Sequence, residues 1–146
     1  MTAAKERRLS RAEYKFVEHK LYFYRDNKRL MEEYLARSDE LIHSTKRREF
    51  GMPGGKRPIH QSHVEATAIQ LVILEEKARR EKFWVEAIED VLELLPDEDR
   101  KLVELKYFQQ LSTNSAVAMQ LNMSDSSFYR RKNEVVWRFA NRFGLV

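Results

Sequence analysis

The 146-residue chain has no cysteine, only four glycines and only three prolines. Without cysteine there can be no disulfides, thiolate zinc sites or thiol nucleophiles, and the composition fits a reducing cytosol. So few Gly and Pro leave little room for the turns of an all-β sandwich or barrel. No apolar run approaches the ~18 to 20 residues that span a bilayer. The basic start (Lys5, Glu6, Arg7, Arg8) leads into no hydrophobic stretch, so neither a membrane span nor a secretory signal is expected. Nucleophile-elbow, phosphate-loop and metalloprotease patterns are also missing. His60 and His63 stand at i, i+3, but no cysteine or evident carboxylate completes a metal set with them. A protein without catalysis, cofactor or metal is the expectation.

What the chain does have is charge, 34% of its residues, distributed unevenly. Residues 1–62 hold 15 Lys/Arg against 9 Asp/Glu, a net +6; residues 63–111 hold 7 against 12, a net −5; residues 112–146 hold 5 against 2, a net +3. A polyanion responds to local patches rather than to the average, so basic ends around an acidic middle point to separate tasks.

Hydrophobic spacing is helical nearly throughout, and the fold class expected is all-α. From Ser10 to Ile42, Tyr14, Val17, Leu21, Tyr24, Met31, Leu35 and Ile42 recur at helical steps, with Lys28 and Ser38 interrupting the stripe. Ser10 with Glu13 fits a capping box. Unbroken, this N-terminal long helix (domain 1–43) is ~50 Å long and needs a partner for its apolar side. Residues 44–62 read as a basic Gly/Pro-containing loop: Ser44, Thr45, Gly51, Pro53, Gly54, Gly55 and Pro58 disfavour helix. Lys46, Arg47 and Arg48 there are candidates for DNA-phosphate or partner contact. Helical periodicity resumes over 63–94, as one helix or as two meeting near Arg80. Ile69 to Leu74 is apolar on more than one face and is expected to be enclosed on several sides. Apolar stripes this long suggest that 63–94 is a scaffold for a homo-oligomer.

Pro96 marks the start of a last domain, 95–146. Asp97, Glu98 and Asp99 suit the positive end of a helix whose buried stripe is Leu102, Leu105 and Phe108, ending near Gln110. Thr113 can cap a short helix, Asn114 to Leu121, burying Val117, Ala118 and Leu121. Asn122 is the best non-glycine candidate for a left-handed turn residue, Met123 plugs the turn, and Ser124 caps a second helix. That helix buries Phe128, Val135 and Phe139 and stops before Gly144. A short helix, a tight turn and a longer helix make a helix-turn-helix. Ser126, Ser127, Tyr129, Arg130 and Asn133 lie on faces the core leaves free and are the candidate base-reading residues: small hydroxyls let the backbone approach the major groove, and Arg and Asn can make bidentate contacts to guanine and adenine. Ser124, Arg131 and Lys132 are the candidate phosphate contacts. The plain alternative for 129–132 is a solvated helix face, against which cap, turn residue and buried triplet agree.

At this point the chain resembles known families. "LPDEDRKLVELKY" (Leu95–Tyr107) with "VAMQLNMSDSSFYRR" is similar to region 4 of bacterial sigma factors. Most of the chain resembles the RinA-type late transcriptional regulators of phages of Gram-positive bacteria, relatives of the ArpU group: "SRAEYKFVEHKLYFYRDNKRLMEE", the "GGK" at Gly54–Lys56, "FWVEAIEDVLELLP" and "SSFYRRKNEVVWRFANRFGL" carry the likeness. Asn114, Ser115 and Ala116 depart from the usual pattern, where larger aromatic and acidic residues are common. The resemblance implies a C-terminal sigma-like helix-turn-helix that binds double-stranded promoter DNA and switches on late, packaging or morphogenesis genes in the bacterial host cytoplasm. Ser126, Ser127, Tyr129 and Arg130 then occupy the start of its recognition helix.

A sequence-specific transcription activator is therefore the expected function, with host RNA polymerase as a possible contact of the acidic middle. A dimer is expected to read half-sites separated by about 34 Å or a multiple. Two other classes compete: a small-terminase-like packaging component, and a sigma-like adaptor that touches polymerase rather than DNA.

Overall fold

Helix starts follow local chemistry closely. The computed structural model describes residues 8–51, 59–111 and 113–146, and within these the side chains outside 47–51 and 59–62. All regular structure among them is helical. Ser10 opens α1 (Arg11–Tyr22) with the expected capping box: Glu13 N–H donates to the Ser10 hydroxyl, and the Ser10 N–H to the Glu13 carboxylate, both at 3.1 Å. The helix expected to run to Ile42 is instead interrupted at Phe23 (φ −97°, ψ 7°), and α2 extends from Tyr24 to Gly51. Lys28 and Ser38 do not interrupt its inner face: Lys28 is half-buried, and Ser38, 6% exposed, is among the most enclosed residues of α2.

Residues 44–51 and 59–62 of the expected loop 44–62 are helical. Ser44 and Thr45, which compete with helix in isolation, donate their hydroxyls to the Leu41 carbonyl at 3.1 and 2.7 Å and so stay within α2. Helix α3 begins at Ile59; residues 52–58 lie outside those described. It then runs unbroken to Leu94, passing Arg80 as one helix rather than two.

The chain forms two compact units, divided differently from the four sequential segments expected. The first joins the residues up to Arg25 with Trp84–Val146; the second is Asp26–Phe83. In the second unit the enclosed and half-enclosed residues recur every three or four positions: Met31, Tyr34, Ser38, Leu41 and Thr45 on α2, and Thr67, Leu71, Leu74, Ala78 and Glu81 on α3. That is the spacing of two helices meeting along a narrow seam. Lys77 Nζ lies 5.7 Å from the Tyr34 ring centre across it. Ile69 and Val72 are 60% and 65% exposed, and Ile73 is also exposed, so within one chain 69–74 is not enclosed on several sides as expected. A narrow seam covers one face of α3 and leaves its outer face open.

The first unit has a proper core. Val17 and Leu21 of α1 are fully buried, as are or nearly are Val85, Ile88, Val91 and Leu95. Trp84 meets Phe16 and Phe143 edge-on, at 5.6 and 5.2 Å between ring centres. Pro96 ends α3 and precedes α4 (Asp97–Val103). Arg100 donates to the Leu92 and Leu95 carbonyls (3.1 and 3.3 Å), which satisfies the end of α3. A π-helical turn, Glu104–Phe108, follows, with Gln109 N–H bonded to Glu104 O at 2.7 Å. The turn inserts one residue into the helical register. It changes the expected stripe: Tyr107 is fully buried, while Leu105 and Phe108 are only half-buried. No helix among the described residues is long and apolar enough to cross a membrane.

Candidate nucleic-acid interface

Thr113 accepts the Ala116 N–H at 3.1 Å and opens α5 (Asn114–Gln120), which buries Val117 and Ala118. Asn122 takes a left-handed φ of 55°, and Met123 N–H then closes back on Ala118 O at 2.9 Å. Ser124, extended at φ −69° and ψ 156°, caps α6 (Asp125–Arg142) by accepting the Ser127 N–H at 3.3 Å. Leu102, Val117, Ala118, Leu121 and Phe128 form one buried cluster, with Leu105, Leu111 and Met123 against it. This cluster ties the short helix, the turn and the start of α6 to α4. Gly144, at φ 82°, stands just past the end of α6 as expected.

The N-terminal half of α6 presents the expected side chains in part. Ser124, Ser126, Arg130 and Asn133 are exposed, Tyr129 is 48% exposed, and Ser127 is half-buried. Ser126, Tyr129, Arg130 and Asn133 follow the three- and four-residue steps of one helix face. Two of them are positioned from outside α6: the Tyr14 hydroxyl donates to Asn133 Oδ1 at 2.9 Å, and Asn114 Nδ2 donates to the Tyr129 hydroxyl at 3.2 Å. The Ser124 hydroxyl also lies 3.0 Å from Ser127 Oγ and 3.3 Å from Ser126 Oγ, so the three serines form one hydroxyl cluster at the helix start.

Two expected phosphate contacts are turned inward. Arg131 reaches back to α4, with Nη2 2.7 Å from Glu98 Oε2 and Nε 3.1 Å from Asp99 Oδ1. Asp99 is 7% exposed, so the acidic start of α4 does more than interact with the helix dipole. Lys132 is 8% exposed. Its Nζ sits 5.4 Å from the ring centres of both Tyr14 and Tyr129, and 3.8 Å from Glu18 Oε2. A lysine enclosed by aromatic faces and one carboxylate has little left to offer a phosphate. Lys46 is exposed on α2 in the second unit, and the side chains of Arg47 and Arg48 lie outside the described residues.

What the residue pattern did not reveal is the part played by α1. Glu18 accepts the Tyr107 hydroxyl at 2.7 Å as well as facing Lys132, and Tyr22 packs edge-on to Tyr107 at 4.9 Å. The helical step from Tyr14 to Glu18 was visible in the sequence; its partner, more than eighty residues away, was not.

Charges are shifted accordingly. Burial, then the Glu18 carboxylate, pushes the Tyr107 phenol well above its usual range, and the same two causes raise Tyr14. Burial lowers Lys132, opposed by Glu18 and aided by Lys106. A phenol whose folded pKa lies above the unfolded value of about 10 contributes stability below pH 10 that is lost as pH rises further. Lys132 acts oppositely, since its burial cost eases as pH rises. Stability is therefore expected to fall above pH 10 by up to about 1.4 kcal/mol per pH unit for the buried Tyr107 phenol, with a smaller, solvent-screened contribution from Tyr14 and less the lysine's contribution. Urea unfolding between pH 8 and 11.5 checks this: Tyr107→Phe should flatten the slope, and equal slopes in the two proteins would refute the assignment.

Comparison of the chain with protein-family models, with curated proteins and with solved structures yields no match.

Proposed function

We propose that the protein is a sequence-specific DNA-binding transcription activator whose α6 enters the major groove. The observation that carries this reading is the exposed face of Ser126, Tyr129, Arg130 and Asn133 on a capped helix braced by the Leu102–Val117–Phe128 cluster. A guanidinium and a carboxamide one turn apart, behind small hydroxyls, suit base edges in the major groove. The hydroxyl cluster and free N–H groups at the helix start suit a phosphate. Arg131 and Lys132 leave the phosphate set, Ser124 stays in it, and Ser126 remains with the base-reading residues. From the family resemblance comes the finer reading: promoters of phage late genes, with host RNA polymerase as a further contact.

Selection from a random DNA pool on the purified protein is expected to return a defined site. Arg130→Ala then weakens that site by ~1 to 3 kcal/mol and relaxes preference at one base pair. Arg131→Ala leaves the salt dependence of binding unchanged, because each true phosphate contact contributes about 0.9 to the slope. A pool that returns no preferred sequence, or an Arg130→Ala protein that binds the selected site as the parent does, removes the reading. One observation favours the packaging-component alternative: the second unit encloses little apolar surface of its own, as expected of a chain that assembles. Rings that bind a packaging site without activating a promoter distinguish it.

A further inference from the structure

The second unit is short of a core. Among the described residues of Asp26–Phe83, Ala78 is the only apolar side chain that is truly buried; the other enclosed positions are Ser38 and Thr67. Large apolar side chains of the same unit lie open instead: Leu35 on α2, and Val64, Ile69, Val72 and Ile73 on α3. Ile69, Val72 and Ile73 occupy the side of α3 opposite the seam made by Thr67, Leu71, Leu74 and Ala78. In a two-helix seam that outer side is ordinarily charged, since nothing covers it.

Charges at either end of this patch say what covers it. Glu65 stands seven residues before Val72 and Arg79 seven after, with Arg80 beside it, and all three are exposed. Seven residues are almost two full turns, so Glu65, Val72 and Arg79 share one face, the charges about 10 Å on either side of the valine. Arg79 also meets Glu76 of its own helix at 3.4 Å, but with Arg80 that end stays net positive, and a face acidic before the patch and net basic after it is complementary to itself when reversed. A two-fold axis at Val72 sets each Glu65 against Arg79 and Arg80 of the second copy and lays the two apolar patches together. A parallel pairing would instead oppose like charges.

We propose that the outer face of α3 is a homodimer interface, in which Ile69, Val72 and Ile73 pack antiparallel against the same residues of a second copy, framed by reciprocal Glu65–Arg79/Arg80 ion pairs. The contact is isologous, as two-fold symmetry requires. It does not depend on the protein binding DNA, and it is tested without DNA.

Sedimentation of the full chain from 1 to 100 μM at low salt is expected to show a monomer–dimer equilibrium. Val72→Glu shifts it to monomer with an unchanged helical circular-dichroism signal, because the side chain is 65% exposed. Glu65→Arg alone, and Arg79→Glu with Arg80→Glu, each weaken dimerisation at least tenfold; the triple exchange restores it. The absence of native cysteine gives an independent readout: Val72→Cys, placed on the axis, forms a disulfide dimer under mild oxidation, whereas Glu40→Cys on α2 does not. A monomer at 100 μM, a dimer that survives Val72→Glu, a triple exchange that fails to restore pairing, or equal cross-linking at the two cysteines overturns the proposal. Binding of this face to some other protein by a chain that stays monomeric falls among those overturning results.

Discussion

Phe128→Ala is expected to cost about 3 to 5 kcal/mol of stability in the unit that contains α6. The ring is fully buried where α4, α5 and α6 meet, with Leu102, Val117, Ala118 and Leu121 around it. Truncation removes the transfer free energy of the ring and leaves a void whose walls belong to three helices and a turn, which cannot all close in together. Phe128→Leu, which keeps most of the volume, is expected to lose far less, about 1 kcal/mol. Both tryptophans, Trp84 and Trp137, lie in this unit, so their fluorescence through urea unfolding reads it directly. A loss below 1 kcal/mol for the alanine variant would mean that the cluster is not the support of α6.

The second large effect concerns the link between α4 and α6. Asp99→Ala is expected to cost roughly 2 to 3 kcal/mol: loss of one partner of a buried ion pair costs about 3 to 5 kcal/mol, and Arg131 is discounted here because it is one-third exposed and retains Glu98. The Asp99 Oδ1–Arg131 Nε approach is an ion pair without hydrogen-bond alignment, and neither atom bonds elsewhere among the described residues. The double-mutant cycle Asp99→Ala with Arg131→Ala should therefore show a coupling of ~1 to 2 kcal/mol. Simple additivity would show that the two side chains are neighbours without being partners. The same Arg131 variant serves as a control for DNA binding, since a residue used to hold α6 should lower stability and leave the salt slope alone.

The two tests separate what was readable in the residues from what was not. Capping is a local rule, and Ser10, Thr113 and Ser124 all accept the N–H three residues on, as their residue types imply. Asn122 and Gly144 likewise adopt the positive φ their chemistry favours. The buried triplet Phe128, Val135 and Phe139 was legible because helical period alone determines it. The π turn was not legible: no residue type marks it, and it exchanges Phe108 for Tyr107 in the core. Gln110, at φ 54°, has no side-chain signal for that conformation. Lys132 and Arg131 looked like surface cations because a basic run on a helix usually is one. Their enclosure depends on Glu18 and on Asp99, neither of which is near in sequence. At the candidate interface the exposed face was legible, and the residues that hold that face in place were not.

The discontinuous first unit has a consequence for how the protein is made. Helix α1 leaves the ribosome early, yet Tyr14 finds its hydrogen-bond partner Asn133 119 residues later. At about 5 to 20 residues per second, that is a delay of roughly 6 to 24 s. During that interval Val17 and Leu21, fully buried at the end, have no α6 to lie against. The second unit, contiguous in sequence, is complete well before the first and can associate while its own chain is still being translated. If the α3 faces pair as proposed, nascent chains on one polysome would meet through this unit before either has a finished α6, and a sister chain from the same message would be the favoured partner.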